Sequence, residues 1–413
     1  MESHYIAGLD IGTTKIGVII GEVTEEDSLN VIGVGMSPSD GLRKGVVVNI
    51  DKTVNAIEHA VEEAELMAGI DVDSVFVGIA GGHIKSINSK GVVAITNANN
   101  EISQEDVERV IEQAKAVAIP MDREIIHVIP QEFIVDEQTG IKEPIGMSGV
   151  RLEVEAHVVT GAITSAANIY KSVEKAGLNV LDLVLEPLAS SYAVLSKDER
   201  ELGVALVDMG GGTTDIAIFF DEAIRHTAVI SLGGKNVTSD IAIGIRTPIE
   251  QAEEIKKRHG IAVASLVRKD EHIEVPGVGG RESREVSRAV LASIIEPRLE
   301  EIFSLVHREI KRSEFADMLG AGIVLTGGGA LLEGITDLAE QVFDMPVRVG
   351  TPTGFGGLAD SVKSPIWSTA IGLIQYGQKH YAEVPEVSGK RGFGGDLFKG
   401  ISDKFKQIFR EYF

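Results

Sequence analysis

The chain has 413 residues, a formal net charge of −23, 44% hydrophobic residues and 46 glycines, but only 5% aromatic residues. This length predicts two to four folding units, and the abundant glycine favours an α/β protein with many tight turns. The absence of cysteine excludes disulfides and thiolate metal sites, and the acidic charge argues against nucleic acid as a main partner.

The N-terminal sequence MESHYIAGLDIG lacks the basic segment and apolar run of a signal peptide. No apolar stretch approaches the roughly 20 residues of a transmembrane helix. Together with the absence of cysteine, these features predict a protein of the reducing cytoplasm.

The first predicted element is a β-hairpin in IAGLDIGTTKIGVIIGEV, with a turn rich in glycine and threonine. The stretch GVALVDMGGGTTDIAIFFDE repeats this pattern 198 residues later. We align Asp10, Gly12 and the pair Thr13-Thr14 with Asp208, Gly210 and the pair Thr213-Thr214, which leaves two extra glycines in the second copy. Two such hairpins predict a duplicated domain with a cleft between its copies.

Strands and helices alternate between the two hairpins. DKTVNAIEHAVEEAELMAG predicts an amphipathic helix that ends at Gly69, and SAANIYKSVEKAG predicts another that ends at Gly177. A segment of roughly residues 84–162 interrupts this alternation with a helix capped by Ser103 and with β-rich pieces such as VRLEVEAHVVTG. We predict a small α+β subdomain inserted into the first half.

A further helix is predicted after the second hairpin, in TPIEQAEEIKKRHG. Its expected capping box is Thr247 with Glu250, and Gly260 ends it. Glu253 and Lys256 are three residues apart, so they share a helix face.

The stretch GIVLTGGGALLEGI predicts an apolar strand, three glycines and then a helix. Gly327, Gly328 and Gly329 would let a ligand approach the backbone at a helix N-terminus. This is not the dinucleotide motif G-x-G-x-x-G, because position 332 is leucine.

The two hairpin turns have the chemistry of a phosphate site, because backbone N–H groups and hydroxyls converge there. The first turn would wrap one side of a phosphate chain with Gly12, Thr13, Thr14 and Lys15. The second turn would wrap the other side with Gly210, Gly211, Gly212, Thr213 and Thr214. Asp10 and Asp208, each at a strand end, are expected to hold Mg²⁺ through water.

The order DIGTTK, LEPLASSYAV, VDMGGGTTDIAI, AEEIKK, VLTGGGALL, WSTAIGL resembles the superfamily of actin, heat-shock chaperones and sugar kinases. Within it, the chain resembles the FtsA family of bacterial cell-division proteins from residue 5 to its end. MreB-type actins are shorter, and heat-shock chaperones need a further peptide-binding domain. The resemblance implies an α/β fold of actin-like, duplicated ribonuclease-H-like domains around a nucleotide cleft, with an inserted subdomain and a C-terminal amphipathic helix.

The resemblance also implies a function and partners. The protein would be an actin homologue that binds ATP with Mg²⁺ and polymerises on the cytoplasmic face of the membrane at the division site. It would tether FtsZ filaments through the FtsZ C-terminal tail, bind membrane lipids and help recruit later division proteins. ATP turnover, if any, is expected to be slow, with Glu186 polarising the attacking water.

Residue by residue, the resemblance extends the nucleotide site beyond the two turns. The implied nucleoside contacts are Glu253, Lys256 and Gly327, Gly328 and Gly329, while Gly233 and Gly234 line the cleft. The FtsZ tail is expected on the arginine-rich helix RESREVSRAVLASIIEPRLEEIF, through Arg281, Arg284, Arg288 and Arg298.

The expected domain division follows the same family. The first actin-like subdomain comprises residues 1–83 and 163–205, with 84–162 inserted. The second comprises 206–229 and 304–380, with a further subdomain at 230–303. A linker at 381–395 leads to a membrane-targeting helix at 396–413.

The chain ends in ISDKFKQIFREYF, which is basic and rich in phenylalanine. On a helix at about 100° per residue, its apolar side chains fall within one arc of roughly 160° and its charges fall on the other. Residues 390–413 carry a net charge of +3 while the rest of the chain carries −26. We therefore expect a membrane anchor. The apolar arc comprises Leu397, Phe398, Ile401, Phe405, Ile408, Phe409, Tyr412 and Phe413.

Two alternatives remain at this stage. A sugar kinase of the same fold would need a base for the substrate hydroxyl, which the sequence does not reveal, and would gain nothing from a membrane helix. A purely structural scaffold such as the pilus-assembly relative PilM would share the nucleotide cleft but would lack the detached amphipathic ending.

Overall fold

The computed structural model describes residues 4–97, 99–268 and 270–380. They form two large sheets, one smaller four-stranded sheet and two two-stranded sheets, with helices packed around them. The strands are β1 (His4–Ile11), β2 (Lys15–Val23), β3 (Leu29–Pro38), β4 (Leu42–Arg43), β5 (Val46–Val47), β6 (Ser74–Ile79), β7 (Lys85–Ala94), β8 (Arg123–Val135), β9 (Gln138–Ile141), β10 (Arg151–Ala162), β11 (Asn179–Leu185), β12 (Val204–Met209), β13 (Thr214–Phe220), β14 (Ala223–Ile230), β15 (His272–Val275), β16 (Arg284–Ser287), β17 (Ile323–Thr326), β18 (Val347–Val349) and β19 (Gly356–Gly357). The helices are α1 (Ile50–Ala68), α2 (Gln104–Lys115), α3 (Ile163–Lys175), α4 (Glu186–Val194), α5 (Lys197–Leu202), α6 (Gly234–Gly244), α7 (Ile249–His259), α8 (Arg288–Arg312), α9 (Ile335–Phe343), α10 (Ala359–Val362) and α11 (Ser368–His380).

The first half is built on a six-stranded sheet in the order β11-β6-β1-β2-β3-β19. β1 and β2 are apolar almost throughout and nearly every residue in them is buried. A continuous apolar strand needs cover on both faces. The pair α1 and α3 and the pair α4 and α11 supply that cover. At Gly35 and Gly372 a Cβ would overlap the backbone of α1 and α4, so glycine permits the close approach of strand to helix and of helix to helix.

The second half repeats this plan with a five-stranded sheet in the order β14-β13-β12-β17-β18. The antiparallel hairpin β12–β13 corresponds to β1–β2, and β17 lies parallel to β12 as β6 does to β1. α8 and α9 pack together and α6 packs on α8, which encloses a second apolar core. The predicted duplication of an α/β unit is confirmed.

The insertion forms a four-stranded sheet in the order β7-β10-β8-β9, with α2 packed on one side. α2 begins with the predicted cap, because the hydroxyl of Ser103 accepts from the backbone N–H of Asp106 at 3.3 Å and the Asp106 carboxylate accepts from the Ser103 N–H at 2.9 Å. Val107, Val110 and Phe133 lie in a small core of the insertion's own.

The insertion also covers the edge strand β14 of the second half, which would otherwise expose unpaired backbone groups. Buried His157 contacts Asn88 Oδ1 through Nδ1 at 2.7 Å and Thr227 Oγ1 through Nε2 at 2.9 Å. Gln131 donates to the carbonyl oxygen of Ile224 at 2.7 Å. Burial lowers the pKa of His157 to about 3, so this junction carries a neutral imidazole.

Three sequence-based expectations about helices are wrong. The capping box at Thr247 does not form, because its hydroxyl donates to the carbonyl oxygen of Pro276 at 2.8 Å, and α7 starts with no side-chain cap. Arg281 and Arg284 do not lie on α8, which begins at Arg288 because residues 284–287 pair with β15 as β16.

The third concerns the triple glycine. Gly328–Leu331 forms a single 3₁₀ turn, and α9 begins only at Ile335. The glycines therefore lie in a turn after β17 and not at the N-terminus of a long helix.

The linker and the amphipathic helix expected at 381–413 lie outside the described residues. In the part of the chain that is described, no helix is long and apolar enough to cross a membrane.

Candidate functional site

The two hairpin turns have the same geometry. In the first, the backbone N–H of Gly12 donates to the carbonyl oxygen of Lys15 at 3.0 Å. In the second, the N–H of Gly210 donates to the carbonyl oxygen of Thr213, also at 3.0 Å. Each turn therefore spans four residues and closes in the same way.

The sequence alignment of the two threonine pairs is wrong for this reason. Thr13 and Thr14 occupy the second and third positions of the first turn, where the second turn has Gly211 and Gly212. Thr213 closes its turn as Lys15 closes the first. Because the two turns have the same length, the second copy contains no extra glycines. The glycines of the second turn instead face the threonines of the first.

The structure brings the two turns into contact across the cleft. A Cβ on Gly211 would overlap the side chain of Thr14, and a Cβ on Gly212 would lie 2.6 Å from the hydroxyl of Thr13. Among the described residues, the backbone N–H groups of these four residues find no hydrogen-bond acceptor. Several free donors at one place suit an anion with several oxygens.

Two contacts that the sequence did not reveal join the halves beside these turns. The ammonium group of Lys235 donates to the carbonyl oxygen of Thr13 at 2.7 Å, across the cleft. A Cβ on Gly82 would lie 2.7 Å from the hydroxyl of Ser231. The only sequence signal for Lys235 is its position directly after the glycine pair of SLGGKNV.

Buried carboxylates lie beneath the two turns. Asp10 pairs with Lys15 at 2.7 Å, and Asp208 accepts from the hydroxyl of Ser190 at 2.8 Å. Burial, with the nearby charge of Asp10, raises the pKa of Asp208 to about 6. Burial and the charges of the neighbouring aspartates raise the pKa of Glu186, the first residue of α4, well above its ordinary value.

Asp215 belongs to this group, and the sequence analysis missed it. It lies directly across from Asp208 in the β12–β13 ladder. Burial, together with the charge of Asp208, raises its pKa to about 7, and its Oδ1 is buried without a hydrogen-bond partner among the described residues. The available signal was an acidic residue inside the otherwise apolar strand TDIAIFF.

The buried carboxylates beneath the two turns are suitable ligands for a hard divalent cation. Carboxylate oxygens are the ligands that Mg²⁺ prefers, and the unpaired Oδ1 of Asp215 is an orphaned acceptor. In residues 4–97, 99–268 and 270–380, no three acidic or histidine side chains converge closely enough to ligate a metal ion directly.

Gly233 and Gly234 contact the backbone of the second turn. The N–H of Gly234 donates to the carbonyl oxygen of Gly210 at 2.9 Å, and a Cβ on Gly233 would lie 2.6 Å from the same oxygen. The N–H of Lys235 donates to the carbonyl oxygen of Gly211 at 2.8 Å. The first N–H groups of α6 are therefore used by the turn itself.

Glu253 and Lys256 share a face of α7 as the sequence predicts, with a 2.7 Å ion pair. Lys256 also donates to the hydroxyl of Thr238 at 2.9 Å and to the carbonyl oxygen of Gly234 at 3.2 Å. Although burial opposes it, Lys256 lowers the pKa of Glu253. α7 is thereby fixed to α6, which begins at the second turn.

The triple glycine packs directly on the second hairpin. Gly327 has φ +78°, and a Cβ there would overlap Oδ1 of Asp208. A Cβ on Gly329 would overlap the side chain of Met209. Gly327 is therefore favoured both by its backbone conformation and by close approach, whereas a Cβ at Gly329 would require the Met209 side chain to move.

Comparison with known sequences places this geometry in a family. Residues 205–372 match the family described as "Cell division protein FtsA", and residues 81–160 match "SHS2 domain inserted in FTSA". The chain is 54% identical over 383 residues to the cell division protein FtsA of Pseudomonas aeruginosa, covering 93% of this chain and 91% of that protein. The chain belongs to the FtsA family.

Other FtsA proteins are similarly related. FtsA of Escherichia coli K12 is 46% identical, covering 91% of each chain, and FtsA of Bacillus subtilis is 45% identical, covering 89% of this chain and 82% of that one. The expected role in bacterial cell division is confirmed at this level, and the sugar-kinase and PilM-like alternatives are not favoured.

Solved structures show the same fold. The PilM–PilN type IV pilus biogenesis complex matches with a TM-score of 0.65 at 16% identity, covering 90% of this chain and 98% of that one. MreB 5 of Spiroplasma citri bound to AMPPNP matches with a TM-score of 0.57 at 16% identity, covering 93% and 98%. The actin-like architecture expected for the FtsA family is therefore confirmed.

The four arginines expected to bind a partner differ in their surroundings in this FtsA-family chain. Arg298 pairs with Asp240 at 2.5 Å, and Arg288 pairs with Glu271 at 2.7 Å. Arg284 donates to the carbonyl oxygen of Ile245 at 2.6 Å. Arg281 is exposed, with no ion pair in the described part of the chain.

Proposed function

We propose that this FtsA-family protein binds ATP with Mg²⁺ in the cleft between its halves. Its last residues hold it on the cytoplasmic face of the membrane at the division site. It tethers FtsZ filaments there through the FtsZ C-terminal tail, assembles into filaments of its own and helps recruit later division proteins. The domain division expected from the family is part of this proposal, except that β19 and α11, which lie within the expected 304–380 segment of the second subdomain, pack on the sheet of the first half.

One observation carries the nucleotide assignment: the two equivalent turns meet with four free backbone N–H groups above buried carboxylates. Such donors bind phosphate oxygens, and carboxylates below them suit a hydrated Mg²⁺. Gly12 to Lys15 and Gly210 to Thr213 would hold the phosphates, with Thr214 beginning the following strand. Asp10, Asp208 and Asp215 would hold the Mg²⁺ shell.

The remaining expected residues take roles around this centre. Glu253 and Lys256 would bind the nucleoside, with Gly327 to Gly329 allowing its close approach. Gly233 and Gly234 would support the second turn. Glu186 would orient water for slow hydrolysis, and its raised pKa keeps it protonated to a higher pH than an ordinary glutamate.

A variant of Gly212 tests the cleft. In Gly212→Val the added side chain collides with Thr13 and the turns separate, so Mg·ATP affinity should fall by about a hundredfold or more. Ala94→Val, at an exposed position of the insertion, is the control for added side-chain bulk away from the cleft. It should stay folded with near-parental affinity. If the parent and Gly212→Val bind ATP with equal affinity in a titration, the assignment of the cleft as the nucleotide site is wrong.

A further inference from the structure

A short basic hairpin lies beside the two turns. Strands β4 and β5 are joined by Lys44 and Gly45, with φ +52° and +75°. Positive φ at both positions defines a tight turn that favours Asn, Asp or Gly first. Lysine in the left-handed region is uncommon and is held there by its surroundings.

This hairpin touches both turns. The N–H of Gly45 donates to the hydroxyl oxygen of Thr13 at 3.0 Å. A Cβ on Gly212 would lie 3.0 Å from the Cα of Lys44. Because the Thr13 oxygen accepts from Gly45, its own hydrogen remains available for an anion in the cleft.

Packing fixes the position of the hairpin. The N–H groups of Val48 and Asn49 donate to the carbonyl oxygen of Gly41 at 2.8 and 3.0 Å. A Cβ on Gly45 would lie 2.8 Å from the Cα of Gly81, so the turn also rests on the backbone that leads into the insertion. The turn cannot move away from Thr13 without disturbing these contacts.

The charge of Lys44 is uncompensated. Lys44 is exposed, and among the described residues no carboxylate pairs with it. The proposed nucleoside contacts lie on α7 of the second half, whereas Lys44 lies where the two turns meet. The phosphate end of a nucleotide would therefore be closest to this lysine.

We infer, resting on the proposed nucleotide binding, that the Lys44–Gly45 turn is a third phosphate-binding element. Lys44 supplies the charge that distinguishes a nucleoside triphosphate from a diphosphate. The terminal phosphate adds negative charge, and a lysine at this rim favours it by a charge-assisted contact.

The test compares Mg·ATP and Mg·ADP titrations of the full-length chain. Lys44→Asn removes the charge but keeps a residue that tolerates positive φ, and Lys44→Gly removes the charge and relieves the strain. Both should lower ATP affinity about tenfold and leave ADP affinity within about twofold. Lys44→Arg keeps the charge and should restore most of the preference. Lys311→Asn, at an exposed lysine near the end of α8, is the control for net charge.

The outcomes separate the two proposals. A parent that binds neither nucleotide would overturn nucleotide binding and this inference together. A parent that binds both, with an unchanged ATP-to-ADP ratio in Lys44→Asn and Lys44→Gly, would overturn this inference alone. Melting curves of each variant show whether the fold is intact, and the glycine variant serves if the asparagine variant is unstable.

Discussion

Asp215 and Asp208 are cross-strand neighbours in a buried ladder, so two negative charges would lie side by side at neutral pH. Their pKa values of about 7 and about 6 exceed the ordinary value of aspartate. Between pH 4 and pH 7 these two carboxylates, without a cation, therefore bind more protons in the folded chain than in the unfolded chain. Their contribution to the free energy of unfolding falls as pH rises through this range, while the lowered pKa values of His157 and His380 act in the opposite direction.

Asp215→Asn should remove the loss of stability that the two neighbouring charges cause at high pH. Without Mg²⁺ the variant should melt roughly 2–4 °C higher than the parent at pH 8, with little difference at pH 5, because a like charge is removed. The stabilisation by Mg·ATP should be greater at pH 8 than at pH 5.5 in the parent and much reduced in the variant. Thermal melts at both pH values measure this.

The exposed Asp71→Asn serves as the control for loss of one acidic charge and should leave these melts unchanged. A gain in melting temperature of Asp215→Asn over the parent that is the same at pH 5 and at pH 8 without Mg²⁺ would contradict the shared cause of the two raised pKa values.

Among single residues, the sequence predicted those that belong to the repeated hairpin and missed those that distant segments bring close to it. Asp10 and Asp208 follow from their place in two similar hairpins. Thr13 misled the alignment, because paired threonines look equivalent although they hold different turn positions. Lys235 and the Lys44–Gly45 turn both contact Thr13 from distant segments of the chain, and no local sequence pattern indicates such contacts.

Among the elements, helices with strong local signals were predictable. α1 ends at Gly69, which has φ +72°, as the pattern indicates. The start of α8 was not predictable, because residues 284–287 form a strand only through pairing with β15. The capping box at Thr247 failed for a similar reason, since a distant carbonyl at Pro276 takes the hydroxyl.

The different surroundings of the four arginines lead to a prediction about the proposed FtsZ contact. Arg281→Glu should weaken binding of an FtsZ C-terminal peptide severalfold and leave the melting temperature unchanged, because Arg281 has no ion pair to lose in the described part of the chain. Arg288→Glu should weaken binding and also lower the melting temperature, since it places a glutamate against Glu271 and Glu333. Peptide titration and thermal melts of the same samples test both effects.

Lys171→Glu, at an exposed position on α3 in the first half, controls for the general effect of a charge reversal on an acidic peptide. If Arg281→Glu binds the peptide as well as the parent does, the tail contacts another surface.

In the whole molecule, the insertion connects the two halves a second time. Its sheet lies on β14, and β14 pairs with β13, the strand that carries Asp215. The phosphate turns and the insertion are thus separated by one strand. The sequence predicted the insertion as a unit, but not this contact, because residues such as Gln131 and Ile224 are far apart in the chain.

The body is also anchored where the described chain ends. His380 packs against Tyr376 with ring centroids 3.9 Å apart, and Gln378 donates to the carbonyl oxygen of Asp27 at 2.7 Å. The described chain therefore reaches residue 380 at a fixed point on the first half. All the residues proposed for the nucleotide cleft lie before residue 330, so the two functions should be separable.

Removal of residues 396–413 should release the protein from anionic vesicles in a flotation assay and leave ATP titration unchanged. Each apolar side chain partly buried in lipid contributes about 1 kcal/mol, and each nearby Lys or Arg contributes up to about 1 kcal/mol. Because the cost of ordering the segment offsets much of this gain, one helix binds reversibly and a filament binds more tightly. Phe405→Glu with Phe409→Glu should have the same effect as the deletion. Gly400→Glu with Gln407→Glu adds the same charge on the polar arc and should retain more binding, so equal loss in both pairs would indicate that charge alone, and not an apolar face, holds the protein on the vesicle.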